Sequence, residues 1–175
     1  MARRAKDLDA TALRQQVSAA RAAGTDSYGA LVGLTKTISD AFDALGCDVY
    51  RNLPEAGCLE AAATWPPAAD EQGSWIGVRY PLAEWPSFRA VVESPTPSQI
   101  RVDAPDLSER ERLDLTAWGI GATMGVRLEV AGRVAGCLVV SRKKVRDFTP
   151  DERAALARCA PAVAEALTAM DGVRQ

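Results

Sequence analysis

Residues 120–167 read IGATMGVRLEVAGRVAGCLVVSRKKVRDFTPDERAALARCAPAVAEAL and predict two strands followed by a helix. Over residues 124–130 apolar side chains alternate with polar ones, which is the period of a strand with one wetter face. Ala131-Gly132 interrupts the alternation, because Gly gives the backbone the freedom that a tight turn needs. Residues 134–140 are apolar at nearly every position, as in a strand buried on both faces. Gly136 in this run has no side chain, which suits the close approach of a helix or a ligand.

The helix that ends this stretch begins with a capping sequence. Thr149 can accept hydrogen bonds from the free N–H groups at a helix start, and Pro150 suits the first helical position. Glu152, three residues after Thr149, completes a capping box. The apolar residues beyond it form one stripe, made of Leu156, Cys159, Val163, Leu167 and Met170. The sequence therefore predicts an amphipathic C-terminal helix.

The hairpin, the charged loop and the capped helix together resemble the C-terminal half of a GAF domain. In that family a strand with a small residue among apolar ones, here residues 135–140, leads to a Phe-Thr pair, acidic residues and an Ala/Leu-rich helix. The residues that match this pattern are Phe148, Thr149, Asp151 and Glu152. Arg127 is a departure, since many members carry Pro before a Leu at that point. The resemblance extends from Tyr28 to Met170.

The resemblance implies an α+β fold with a six-stranded antiparallel sheet. Terminal helices are expected on one face of the sheet, and a ligand pocket under inserted helices on the other. Residues 1–27 are then an N-terminal helical extension, and residues 28–171 the GAF-like domain. The inserted helices are expected within residues 83–93 and 104–119, which roof the pocket.

Composition restricts the class of protein. The 175 residues carry a net charge of −2, so no basic face indicates nucleic-acid binding. No apolar run approaches the ~20 residues of a membrane span, and the start lacks the apolar core of a signal peptide. We therefore expect a cytoplasmic protein of one domain, standing alone or as the N-terminal piece of a longer chain.

The residues available for chemistry are few. His is absent, which excludes a His-ligated haem or zinc and a Ser-His-Asp triad. Cys47, Cys58, Cys137 and Cys159 have no CxxC spacing, and buried small side chains are favoured over redox chemistry. No metal, haem or other cofactor is expected. Family members that attach a bilin usually do so through Cys beside His, a pair that this chain does not have.

The rest of the chain predicts short strands between helices. Residues 1–24 and 28–45 are expected to be helices, the second ended by Gly46. Strands are expected at 47–53, 58–65, 74–82 and 98–102. Two inserted helices follow Trp85-Pro86 and Ser108, and residues 66–74 form a polar loop.

Two helices carry apolar residues seven positions apart. These are Leu31, Ile38 and Leu45 in the first, and Leu156, Val163 and Met170 in the second. A period of seven is what a helix needs to keep one seam towards a partner helix. The seam either packs on the chain's own sheet or pairs with a second subunit. We predict a parallel homodimer through the terminal helices.

The candidate ligand-binding residues are aromatic and polar side chains near strand ends and inserted helices. They are Trp65, Tyr80, Trp85, Phe88, Arg101, Asp103, Trp118 and Thr123. The resemblance places Trp85, Phe88 and Trp118 in the roof, with Trp65 and Tyr80 at the rim. Aromatic rings can stack on a flat ligand, an Arg can grip a carboxylate or phosphate, and Asp103 and Thr123 can form hydrogen bonds. The alternatives are that the rings fill the core and that Asp103 caps its own loop.

Three functions remain open from the sequence. The leading hypothesis is a regulatory domain that binds a small molecule and relays the change through its terminal helices to an output domain or partner protein. The second is a dimerisation or scaffold module that binds no ligand. The third is a Cys-dependent redox enzyme, and we expect that the chain is not an enzyme.

Overall fold

A computed structural model of the protein describes residues 5–67 and 75–172. In that part of the chain six strands form one antiparallel sheet, in the order β3-β2-β1-β6-β5-β4. The strands are β1 (Gly46–Leu53), β2 (Cys58–Trp65), β3 (Arg79–Pro81), β4 (Ser98–Arg101), β5 (Ala122–Val130) and β6 (Arg133–Arg142). The helices are α1 (Ala10–Ala22), α2 (Ser27–Phe42), α3 (Pro86–Glu93), α4 (Glu109–Ala117) and α5 (Pro150–Gly172). The predicted α+β class and the six-stranded sheet are confirmed.

The predicted hairpin in residues 120–142 is present as β5 and β6. Val130 pairs with Arg133, so Ala131 and Gly132 form the two-residue turn. Both turn residues have positive φ, 49° and 75°, which matches the twist of a tight hairpin. Gly accepts this conformation without cost, whereas Ala131 adopts it under the constraint of the paired strands. The hairpin places β6 in the middle of the sheet, between β1 and β5.

The capping box of α5 is also confirmed. The N–H of Thr149 donates to Glu152 Oε2 at 2.7 Å, and the N–H of Glu152 donates to Thr149 Oγ1 at 3.2 Å. Arg142 joins this group through Glu152 at 2.7 Å, and its guanidinium lies 3.5 Å from the centre of the Phe148 ring. Burial alone would raise the pKa of Glu152, but these hydrogen bonds and the Arg142 charge bring it below its ordinary value. The loop before α5 is thus tied to the end of β6.

The main core lies between the sheet and the helices α1, α2 and α5. Alternate residues of the central strands face this side, among them Val49 of β1, Met124 of β5 and Val140 of β6. Helix α5 packs on β5 and β6, α2 packs on β1 and β2, and α1 packs on both helices. The predicted placement of the terminal helices on one face of the sheet is therefore confirmed.

The opposite face of the sheet is covered by α3. A second apolar cluster contains Tyr50 of β1 and Cys137 and Val139 of β6, with Val91 of α3. Helix α3 approaches β5 closely at Gly125, where an added Cβ would lie 2.7 Å from a methyl group of Val91. The inserted helix therefore lies on the sheet face that the terminal helices leave open.

The residues spaced seven apart are used inside the chain. Leu31, Ile38, Leu156 and Val163 are fully buried, and Met170 is 3% exposed. These five residues belong to the main core, so this seam is not available to a second subunit. Leu45, the sixth residue of the predicted spacing, lies after the end of α2 and is only partly buried. The homodimer stays a prediction, and one through the terminal helices would have to use their other faces.

Some predicted boundaries need correction. Helix α2 ends at Phe42 because Asp43 adopts the left-handed conformation, and Gly46, expected to end the helix, begins β1 instead. The third strand is Arg79–Pro81 rather than 74–82, since Gly77 forms a turn before it. Ser74 and most of the predicted loop lie outside the described residues.

The N-terminal helix contributes to the core. Leu13 of α1 and Leu8, which precedes the helix, are fully buried, although apolar residues are sparse in this part of the sequence. The predicted boundary at residue 27 stays a prediction, but α1 packs on α2 and α5. In the described ranges, none of the helices has both the length and the apolar character that a membrane span requires.

Candidate ligand-binding cavity

A cavity of about 450 Å³ lies between the sheet and the helices α3 and α4. Its floor consists of side chains that point away from the main core, including Tyr50, Thr123 and Val139. Its roof consists of α3 and α4, with Phe88 and Leu115 among the lining residues. The volume is within the range of small-molecule sites, ~300–1,000 Å³. Strand alternation therefore gives the sheet two uses, with a packed core on one face and a cavity on the other.

Five aromatic rings form a continuous cluster along one side of the cavity. The centre of the Tyr50 ring lies 4.7 Å from Phe88, 5.5 Å from Tyr80 and 5.8 Å from Trp75. The Trp85 ring is 5.1 Å from Tyr80 and 6.0 Å from Phe88. The rings are tilted or edge to face, which is the favourable geometry for aromatic pairs. The rings therefore hold one another in place and line the cavity at the same time.

Trp85 lies at the start of α3, where Pro86 takes the first helical position. Its side chain is 8% exposed, and its Nε1–H has no acceptor among the described residues. Arg110 of α4 lies over the Trp85 ring at 5.0 Å and pairs with Glu84. A buried donor without a partner is uncommon, and this one belongs to a residue that lines the cavity.

Glu111 joins the two roof helices. It is 3% exposed, and its Oε1 accepts a hydrogen bond from the N–H of Ser87, in the first turn of α3, at 2.8 Å. Its Oε2 accepts from the hydroxyl of Ser108, the N-cap of α4, at 2.7 Å. One carboxylate therefore satisfies donors at the N-termini of both helices, where negative charge is favourable. This buried acid fixes the roof in place.

Two further carboxylates face the cavity, one from the floor and one from the roof. Burial raises the pKa of Asp48 on β1 to about 7, against the effect of a 2.7 Å hydrogen bond from Thr64. Burial also raises the pKa of Asp114 on α4, while a hydrogen bond from Trp118 and the charge of Arg110 act in the opposite direction. Both acids therefore ionise less readily than they would in water.

Six of the eight candidate residues from the sequence line this cavity. They are Trp65, Tyr80, Trp85, Phe88, Trp118 and Thr123. Arg101 and Asp103 do not. Arg101 Nε donates to Asp103 Oδ1 at 2.8 Å, and both side chains are substantially exposed. Arg79 and Arg127 likewise pair with acids, so the expected Arg grip is not built here.

Sequence reasoning missed the polar residues that face the cavity. Asp48 and Tyr50 lie on a predicted strand, on the face opposite Cys47 and Val49. Asp48 and Tyr50 alternate with apolar residues along the strand, which places them on the opposite face of the sheet. Because the resemblance implied a pocket on that face, the alternation could have identified both residues as pocket residues. Glu111 gave a weaker signal, three residues after the cap Ser108, as in a capping box.

The cysteines lie outside the cavity. All four are free and buried, and none lines the cavity wall. Burial raises the pKa of the Cys47, Cys137 and Cys159 thiols, which keeps them protonated near neutral pH. Residues 5–67 and 75–172 contain no group of three or more His, Cys, Asp and Glu side chains that could hold a metal ion.

The chain belongs to the GAF domain family, whose sequence model matches residues 10–167. Domains of this family are sensory or regulatory domains of signalling proteins. The resemblance drawn from the hairpin and the capped helix is therefore confirmed. No curated protein matches the chain.

Solved structures share the fold at low sequence identity. The phycoerythrobilin-bound GAF domain of a cyanobacterial phytochrome is 15% identical, with a TM-score of 0.71 over 97% of this chain and 99% of that chain. A domain of a putative two-component sensor histidine kinase from Sinorhizobium meliloti 1021 is 18% identical, with a TM-score of 0.60 over 82% and 93%. Free methionine-R-sulfoxide reductase from Neisseria meningitidis, solved with its substrate, is 18% identical, with a TM-score of 0.66 over 92% and 89%. At these identities the likeness concerns the fold.

Proposed function

We propose that this GAF domain senses a small molecule, which binds in the cavity under α3 and α4. The terminal helices then relay the change to an output domain or a partner protein. The cavity itself carries the proposal, because it combines a volume of about 450 Å³ with aromatic walls and a few polar groups. That composition is typical of small-molecule sites.

The central strands offer a route between the cavity and the terminal helices. Thr123 lines the cavity, whereas the next residue, Met124, packs in the main core. Val139 and Val140 are divided in the same way on β6. Because α5 packs on both strands, a ligand that moves the strands also moves α5. The ligand must bind the two arrangements with different affinity for this to act as a switch.

The two alternatives have less support. A redox enzyme needs a reactive thiolate, and three of the four buried thiols have raised pKa values. A scaffold that binds no ligand has no use for a cavity of this volume, and its most regular helical seam lies in the chain's own core. The sensor proposal accounts for the cavity and leaves the thiols as core side chains.

A melting-temperature screen tests the proposal. A metabolite panel is added to the wild-type protein and to Thr123→Trp, which places an indole in the cavity. A sensor gains melting temperature with its ligand by mass action, and the filled variant does not. Thr168→Trp adds the same ring at an exposed position of α5 and should respond like wild type. If no compound stabilises wild type selectively over Thr123→Trp, the proposal fails and the scaffold is favoured.

A further inference from the structure

The cavity is acidic. Its lining contains Asp48, Glu111 and Asp114, and among the described residues it contains no Lys or Arg. Glu111 is occupied by the caps of the roof helices. Asp48 and Asp114 are left to face the cavity from opposite sides, without a basic side chain in the lining to pair with them. The cavity therefore offers negative charge to whatever it holds.

Basic side chains near the cavity are already paired. Lys36 lies 5.0 Å from the centre of the Trp65 ring, and its Nζ is 2.6 Å from Asp40. Arg110 lies over Trp85 and pairs with Glu84. Neither basic residue belongs to the lining. Among the described lining residues, Asp48 and Asp114 therefore have no basic side chain to pair with, and the charge of Arg110 acts on Asp114 from outside the lining.

We infer that the sensed ligand is an organic cation, a protonated amine carried on a flat apolar body. The ammonium lies between the carboxylates of Asp48 and Asp114, and the body lies among the rings of Tyr50, Trp75 and Phe88. This inference deepens the proposed function and rests on it, because it names the chemical class of ligand for the same cavity.

The shape and charge of the cavity favour this class over others. A carboxylate or phosphate ligand would meet two acids and no basic side chain in the described lining. A metal ion needs clustered ligands, which the described residues do not provide. Aromatic faces attract a cation and also cover an apolar body. An amine on an aromatic skeleton uses both the charge and the rings.

Burial of Asp48 makes the binding pH-dependent. Its raised pKa, about 7, means that the empty cavity holds a mixture of the acid and the carboxylate near neutral pH. A bound cation favours the carboxylate, so binding releases a proton and strengthens as the pH rises. The other titratable groups around it are Cys47 and Tyr50 on β1, Tyr80 on β3, Glu111 and Asp114 on α4, Cys137 on β6, and Lys36 of α2 beyond Trp65. Asp48 has a pKa that lies inside the pH window of 6 to 8.

Three indole probes that differ in charge test the inference. Tryptamine is a cation, 3-ethylindole is neutral and indole-3-propionate is an anion, and all three carry the same ring. Calorimetry should show tryptamine binding at least about tenfold more tightly than the other two. Its affinity should rise roughly tenfold from pH 6 to pH 8, as expected for a group with a pKa near 7. Asp48→Asn should lose both the preference and the pH dependence, and Asp106→Asn, an exposed acid outside the lining, should keep both.

The outcomes separate this inference from the proposed function. Equal binding of the three probes, or tighter binding of indole-3-propionate, contradicts the inference that the ligand is a cation. The proposal that the cavity binds a small molecule is unaffected by either result. A tryptamine preference that survives in Asp48→Asn or in Asp114→Asn overturns the assignment of the ammonium to this pair of acids. If none of the probes binds at millimolar concentration, the inference fails, while the metabolite screen still decides the proposed function. Circular dichroism of each variant confirms that it is folded.

Discussion

At the scale of single residues, Asp48 is an acid at a half-buried position on β1. Burial raises its pKa from 3.8 to about 7, so ionisation costs more in the folded chain than in the unfolded chain. The unfolded state therefore gives up its proton first, and stability falls as the pH rises from about 4 to about 7. Each pKa unit corresponds to about 1.4 kcal/mol.

Asp48→Asn removes this cost. The difference in the free energy of unfolding between Asp48→Asn and wild type should grow by about 3 kcal/mol, in favour of the variant, as the pH rises from 4 to 8. Urea unfolding of both proteins at the two pH values measures the gain. Asp106→Asn serves as the control and should show no such pH-dependent difference. A constant difference between Asp48→Asn and wild type would contradict the raised pKa.

Gly136 is a position at which the structure leaves no room for a Cβ atom. A Cβ at this position would collide with the carbonyl oxygen of Tyr50 on the neighbouring strand and would lie 3.2 Å from Leu167 of α5. The sequence indicated a close approach by a helix or a ligand, and the structure adds the backbone of β1. Gly136→Ala should therefore cost more than about 3 kcal/mol of stability by chemical denaturation. Gly172→Ala meets no described atom within 4 Å and should be nearly neutral.

At the scale of elements, Glu111 is the contact that connects α3 with α4. Glu111→Ala removes acceptors at two helix N-termini and should cost about 2–3 kcal/mol of stability. Hydrogen exchange should accelerate in both helices, because α3 loses the acceptor for the N–H of Ser87 and the N-cap Ser108 of α4 loses the hydrogen bond that orients its hydroxyl. Glu109→Ala removes an exposed acid from the same turn and should leave exchange in α3 unchanged. Faster exchange confined to α4 would show that Glu111 does not hold α3.

The elements that the sequence predicted best are those with local signals. The strand at 58–65 has the predicted limits, and the Thr149 cap sets the start of α5, because alternation and capping depend on neighbouring residues. The third strand was predicted too long, since the turn at Gly77 is set by a hydrogen bond to Ala61 on β2. Contacts between distant segments leave no local pattern in the sequence, and such a contact decides where β3 begins.

The candidate site was predictable to a similar degree. Aromatic side chains next to Pro or strand ends could be chosen by type, and six candidates do line one cavity. Asp48 and Asp114 were missed because an acid in a sequence reads as exposed until its neighbours are known. Arg101 and Asp103 were chosen by type but pair with each other, which two opposite charges two residues apart at the end of β4 allow.

At the scale of the whole molecule, one sheet separates the main core from the cavity. In the proposed function, a change in the cavity is passed to α5 through residues that alternate along β5 and β6 between the cavity and the main core. The terminal helices therefore have to remain packed on the sheet for a relay to exist. The apolar residues spaced seven apart in α2 and α5 hold these helices on the sheet if they pack in the main core. A substitution at one of them shows whether they do so or lie in a dimer interface.

Ile38→Glu distinguishes a core position from a position in a dimer interface. Ile38 is fully buried in the main core, so a Glu there would be a buried charge without a partner. The variant should lose at least about 5 kcal/mol, which equals the whole stability of a domain at the lower end of the usual ~5–15 kcal/mol, and it should therefore be largely unfolded by circular dichroism. Ala154→Glu adds the same charge at an exposed position of α5 and should remain folded.

Light scattering of the same proteins completes the test. A folded, monomeric Ile38→Glu protein beside a dimeric wild type would place Ile38 in an intersubunit seam and contradict the core described above. An unfolded variant supports the core and leaves the homodimer to be judged from wild type alone. If wild type is dimeric and Ala154→Glu is also dimeric, the contact uses a helix surface other than the apolar seam and the one around Ala154. The relay would then act through terminal helices that pack on the sheet with their buried faces and contact the partner subunit with their outer faces.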